Sequence, residues 1–135
     1  MGVNFEWRDE YNTGLDEIDI QHKRFLHMIN ALYELDNRPV KNPGMQKLLD
    51  ELVNYARFHF QSEELLMISY KYPNLYDQKK EHEKLMNDLN KKAEEVKLSN
   101  GNVSKMLLFL VKWFAGHTTF LDKEMGAYIS KQRNI

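Results

Sequence analysis

The chain has 135 residues, 42% hydrophobic and 29% charged, with a net charge of -1 and a pI near 6.5. That composition fits one globular domain over 1–135 with enough chain to bury a core; it excludes a basic field for nucleic acid, the charged N-terminal residues do not read as a signal peptide, and no apolar run approaches the roughly 18 residues of a membrane span. Cysteine is absent, which excludes disulfides, iron–sulfur clusters and thiolate zinc and suits a cytoplasmic location.

Residues 1–15 read as an irregular arm whose Phe5, Trp7 and Tyr11 would cover the outside of a helical bundle spanning 16–135. A first helix, about 16–37, sets Ile18, His22, Phe25, Leu26, Ile29 and Leu32 on one stripe. Asn37-Arg38-Pro39-Val40-Lys41-Asn42-Pro43-Gly44 breaks it, with Asn42-Pro43 able to cap the next helix. This second helix, about 43–70, aligns Met45, Leu48, Leu49, Leu52, Ala56, His59, Glu63, Leu66 and Met67, and ends at Tyr70-Lys71-Tyr72-Pro73-Asn74. A third, about 74–98, aligns Leu75, Gln78, His82, Leu85, Leu89, Ala93 and Val96 before Ser99-Asn100-Gly101-Asn102. A fourth, about 102–120, aligns Val103, Met106, Leu107, Leu110, Trp113, Phe114 and His117, and a short C-terminal helix runs from Asp122 to about Ser130. Short connections favour antiparallel neighbours, so the expected fold is an all-α, up-down-up-down antiparallel four-helix bundle.

Polar residues interrupt these stripes at matching depths. His22 lies about 15 residues before the first break and His59 about 16 after it; His82 lies about 16 before the third break and His117 about 16 after it. At about 1.5 Å per residue these four, with Glu63 and Gln78, fall in a slab about one to two turns thick. His59 and Glu63, four residues apart, share a helix face, as do Gln78 and His82. His117 and Asp122 are five apart, about 140° on an ideal helix. They share a site only if the helix loosens or kinks there or Asp122 swings inward, with Gly116 as a candidate source of that freedom.

Imidazoles and carboxylates gathered in an apolar core are costly unless they bind something. Nitrogen and oxygen donors without thiolates suit iron, manganese or zinc, and two carboxylates among several histidines suit a pair of cations that a shared carboxylate can bridge. Any one of these histidines, taken alone, reads first as a satisfied core residue, and Glu63 alone as a solvated one. Their coincidence in one layer reverses that reading. His27 falls off its stripe and reads as a surface residue. Asp19 and Gln21 flank His22 and read as solvent contacts near the helix start ahead of supports for its ring. Phe60, Met67, Trp113 and Phe114 read as core packing.

The ordered set resembles the hemerythrins, specifically the small bacterial hemerythrin domains. The pieces that carry the resemblance are Ile18-Asp19-Ile20-Gln21-His22-Lys23, His59-Phe60-Gln61-Ser62-Glu63-Glu64 with Met67, Tyr72-Pro73, Glu81-His82-Glu83, and Trp113-Phe114 followed by His117 and Asp122. The resemblance implies a non-heme centre of two iron ions bridged by Glu63 and Asp122. One iron takes His22 and His59, and the other takes His82, His117 and a histidine where this chain has Gln78. It also implies reversible binding of dioxygen or a related small diatomic ligand, for carriage, storage or sensing. Phe60, Met67, Trp113 and Phe114 would then wall the O2 pocket. No catalytic residue is assigned, and sensing would require a separate partner.

Gln78 departs from the family pattern, and three outcomes are open there. Its amide oxygen ligates; it stands back and leaves an open position; or the second iron binds poorly. The open position supports an alternative, a diiron enzyme with peroxidase, oxidase or nitric oxide chemistry. A metal-storage or purely structural bundle is a third reading. The sequence leaves the oligomeric state unassigned.

Overall fold

The computed structural model describes residues 5–36, 44–98 and 103–134. A short 3-10 turn at Asp9–Tyr11 precedes four long helices: α1 (Asp16–Asp36), α2 (Gly44–Ser69), α3 (Leu75–Leu98) and α4 (Ser104–His117). The chain does not stop after α4. It passes through a π-helical turn at Thr118–Asp122 and continues as α5 (Lys123–Arg133). The expected boundary between a fourth helix and a separate C-terminal one is therefore a change of winding within a continuous helix, and α5 runs past Ser130. Of the breaks expected over 37–44 and 99–102, all but Gly44, which opens α2, lie outside the described residues.

The helices form an antiparallel ring in which α1 packs on α2, α2 on α3, α3 on α4 and α4 back on α1. Cross-helix pairs run in opposite directions between α1 and α2 and between α3 and the last helix. Phe25 meets Tyr55 while His22 meets His59, and Gln78 reaches Leu121 while His82 meets His117. The expected stripes are the buried ones: Ile18, Phe25, Ile29 and Leu32 are at most 1% exposed, as are Leu49, Leu52 and Leu110. Burying each such side chain contributes about 1.5–3 kcal/mol. No helix among the described residues is long and apolar enough to cross a membrane.

The second break has a clear local cause. Lys71 takes a positive φ of 52°, Tyr72 N–H donates to Met67 O at 2.9 Å and Lys71 N–H to Ile68 O at 3.2 Å. This is the double bond of a Schellman stop, with Tyr72 folded back into the core and Pro73 barring continuation. The arm is held by Asn30, which accepts from Phe5 N–H at 2.8 Å and donates to Phe5 O at 3.0 Å. Trp7 and Tyr11 set their rings against Phe114, as the arm's composition suggests.

Two apolar clusters result. The larger holds Phe25, Ile29, Leu52, Phe60, Leu110 and Phe114. The smaller holds Leu15, Ile18, Met67, Tyr72, Met125 and Ile129. The polar layer lies between them along every helix.

Candidate metal centre

Each helix delivers its donors to this layer. α1 brings His22; α2 brings His59 and Glu63; α3 brings His82; α4 ends on His117; and the π-turn ends on Asp122. Glu63 and Asp122 are fully buried, and the four histidines are no more than 6% exposed. His22 Nε2 lies 3.0 Å from His59 Nε2, 3.0 Å from Asp122 Oδ2 and 3.4 Å from Glu63 Oε2. His59 Nε2 and His82 Nε2 each lie 3.2 Å from an oxygen of Glu63. His117 Nε2 lies 3.1 Å from Asp122 Oδ1.

The π-turn resolves the awkward spacing of His117 and Asp122. A π-helical turn closes between residues five apart, so the second comes to lie over the first. Outside its own helix a Cβ at Gly116 would meet nothing within 4 Å, so no contact with a neighbouring element requires glycine there.

Two overlapping donor groups emerge: His22, His59, Glu63 and Asp122, and Glu63, His82, His117 and Asp122. Within each group the donor atoms lie within 4.8 Å of one another. Both carboxylates belong to both groups. Short as the separations are, the oxygens of Glu63 and Asp122, His82 Nε2 and His117 Nε2 make no hydrogen bond. Lone pairs that crowd together without bonding point at a shared centre rather than at each other. Adjacent ligands on one ion with bonds of about 2.1 Å sit about 3.0 Å apart in octahedral and about 3.4 Å apart in tetrahedral geometry, and the separations here run from 3.0 to 3.4 Å. The residues fit a pair of first-row cations.

Two side chains hold imidazoles from behind. Gln21 Oε1 lies 2.7 Å from His59 Nδ1, and Glu64 Oε2 lies 2.9 Å from His82 Nδ1. Each contact makes Nδ1 the protonated nitrogen and leaves Nε2 free to face the centre. Gln21 thus serves the ring across the helix interface rather than its neighbour His22, which corrects its expected place in solvent. Asp19 instead accepts from Thr13 N–H at 2.9 Å and Thr13 Oγ1 at 2.8 Å, tying the arm to α1. Nothing in the sequence around Glu64 sets it apart. Its only signal is the antiparallel matching of α2 with α3, which puts it level with His82.

Burial alone would push the His22 imidazole down, but the carboxylates of Asp122 and Glu63 outweigh it and lift His22 to about 10. His82 is raised against burial by Glu63 and Glu64, and His117 is raised against burial by Asp122 and Glu63. Burial would raise Glu63, yet His59, His22 and His82 hold it well below the usual carboxylate range. Asp122 is held low by His117 and His22 against both burial and the charge of Glu63.

Aromatic rings close the layer on one side. Phe60 stacks on His82 with centroids 4.3 Å apart and planes 17° apart. Trp113 lies 5.8 Å from His117, and Phe114 stands edge-on to His22 at 5.9 Å. Met67 is fully buried in the smaller apolar cluster, on the opposite side of the layer from those rings. Gln78 is 2% exposed, and its Nε2 donates to Leu121 O at 3.1 Å. His27 is exposed, as its place off the stripe predicts.

Residues 13–129 match the family model described as the hemerythrin HHE cation binding domain. A bacteriohemerythrin of Clostridium acetobutylicum is 32% identical, covering 89% of this chain and 97% of that protein. One of Methylococcus capsulatus is also 32% identical, covering 90% and 92%. A crystal structure of a hemerythrin mutant superposes with a TM-score of 0.84 at 27% identity, covering 93% of this chain and 97% of that one. The matched segment runs from Thr13, where the arm meets the bundle, to Ile129 at the end of the buried core, and so takes in every donor of the layer. The chain belongs to the hemerythrin family of cation-binding domains.

Proposed function

We propose that this chain binds dioxygen, or a related small diatomic ligand, at a non-heme centre of two iron ions. The observation that carries the reading is the sharing of Glu63 and Asp122 between two donor groups. Carboxylates common to both would bridge two cations and offset their mutual repulsion. His22 and His59 would complete one position, and His82 and His117 the other. Iron, when bound, supplies the redox chemistry that dioxygen binding needs.

The chain's own residues do the rest. Gln21 and Glu64 fix the tautomers of His59 and His82, so that each ring presents its Nε2 lone pair. Phe60, Trp113 and Phe114 hem the imidazoles with apolar surface, and Met67 closes the far side. That apolar wall limits the access of water and protons to the layer, which favours carriage, storage or sensing over turnover. The cysteine-free composition suits a reducing cytoplasm.

The test is iron per chain, with visible spectra of the reduced protein before and after air is admitted and then removed. About two irons, with a charge-transfer band that appears with dioxygen and reverses on its removal, is the expected result. Two irons that oxidise irreversibly, with turnover of a reducing substrate, would replace this reading with a diiron enzyme. Less than about one iron per chain would refute both.

A further inference from the structure

Gln78 shares the setting of the donors around it. It lies one turn before His82 on α3 and is 2% exposed. Its Nε2 donates at 3.1 Å to the carbonyl of Leu121, the residue before Asp122. That bond fixes the orientation of the amide, because the reverse assignment would set two carbonyl oxygens against each other. The amide oxygen is then buried without a partner. Among the described residues, the buried side-chain atoms lacking partners are Gln78 Oε1, both oxygens of Glu63 and of Asp122, His82 Nε2, His117 Nε2, the outer nitrogens His22 Nδ1 and His117 Nδ1, and Trp113 Nε1. Orphaned buried polar atoms are rare in folded chains. Most of that set, the oxygens of Glu63 and Asp122 with His82 Nε2 and His117 Nε2, are donor atoms of one cation position, and the Gln78 amide lies one turn from His82 on the same face of α3.

We propose that the amide oxygen of Gln78 is a further donor to the cation position formed by Glu63, His82, His117 and Asp122, which makes the two positions chemically unequal. The inference rests on the two-cation reading above. The position of His22 and His59 has two imidazoles and the shared carboxylates. The other has two imidazoles, the same carboxylates and a neutral oxygen, with an anion, Glu64, behind His82. An amide oxygen is a harder donor than imidazole, so this position is weighted toward manganous ion relative to cobaltous ion. The Glu64 carboxylate strengthens the His82 ring as a donor and offsets the weaker amide.

The experiment titrates Mn2+ and Co2+ separately into the metal-free full-length chain, counting bound ions by equilibrium dialysis and checking the fold of each variant by circular dichroism. Gln78→Leu removes both the oxygen and the bond to Leu121. Gln78→Glu keeps an oxygen but loses the N–H donor. Gln78→His exchanges oxygen for nitrogen. The wild type is expected to take two ions. Gln78→Leu should weaken the second ion by about tenfold or more while leaving the first within about twofold. Gln78→Glu should retain both, and Gln78→His should shift the preference of the second position from Mn2+ toward Co2+ by about tenfold. Wild-type affinity for both ions in Gln78→Leu would overturn the inference and leave the two-cation reading standing. Equal loss of the second ion in Gln78→Leu and Gln78→Glu would also overturn it, assigning Gln78 to anchoring Leu121 alone. Should Gln78→Leu not fold, an unchanged metal preference in Gln78→His overturns it. Fewer than two ions in the wild type would overturn the inference and the two-cation reading together.

Discussion

Gly126 lies one turn beyond Asp122, where the arm crosses the last helix. A Cβ built on it would stand 2.1 Å from Thr13 O and 2.8 Å from Thr13 C and Cβ. Those are mainly backbone atoms, so Gly126→Ala must move the arm rather than rotate a side chain. Overpacking of this kind costs about 1–3 kcal/mol. The displaced segment also carries three contacts: Thr13 N–H and Oγ1 on Asp19, and Leu15 N–H on Thr13 Oγ1 at 3.2 Å. Losing even one of them adds about 1 kcal/mol. The expected total is about 2–4 kcal/mol, or a fall in melting temperature of roughly 6–15 °C for a chain of this length. The matched control is Gly116→Ala, where a Cβ meets nothing within 4 Å. Replacing glycine within a helix gains up to about 1 kcal/mol in propensity, so that variant should melt at or slightly above the wild type. Thermal melts of the metal-free proteins decide the matter. A Gly126→Ala variant melting within about 1 °C of wild type would refute the argument from close approach.

Glu63 stands in both donor groups and His117 in one. Glu63→Ala should therefore fall below about half an ion per chain after dialysis, while His117→Ala keeps about one; similar losses in the two would argue against a shared bridge. Chelation should lower the melting temperature, since a ligand at about 100 times its Kd contributes about 2.7 kcal/mol to the folded state; identical melts with and without chelator would count against a bound cation. Lys71→Gly relieves a left-handed backbone at the end of α2 and should stabilise the chain by about 1 kcal/mol by denaturant titration. Arg133 joins α5 to α1 through both oxygens of Glu17, at 3.0 and 2.7 Å. The bond from Arg133 holds the Glu17 carboxyl below its usual value despite slight burial. A depressed carboxylate contributes stability above its unfolded-state pKa and loses it as pH falls through the folded value. With Glu17 45% exposed at its side chain, the contribution is about 1 kcal/mol or less. The gap between wild type and Glu17→Gln should thus be small at neutral pH and vanish in acid, and a gap that widens in acid would contradict the sign.

Much of this architecture is written locally. The apolar stripe through Ile18, Phe25, Ile29 and Leu32 fixes which face of α1 turns inward, and the same holds for Leu49, Leu52 and Ala56 on α2. Distance from each break fixes the depth of His22, His59, His82 and His117, because rise per residue is constant along a helix. Residue type alone then selects nitrogen and oxygen donors. What the sequence could not decide were relations between helices and a departure from ideal winding. The five-residue step from His117 to Asp122 points the two apart on an α-helix, and only a π-turn, settled by how the last helix packs, brings Asp122 over His117. Gln21 reaches His59 rather than its neighbour His22, and Glu64 reaches His82, because each pairing depends on how far two helices are rotated about their own axes. The orientation of the Gln78 amide is set by a carbonyl 43 residues away. Periodicity records the faces of one helix at a time; contacts across the bundle depend on the relative rotation and winding of several, which only the folded chain determines.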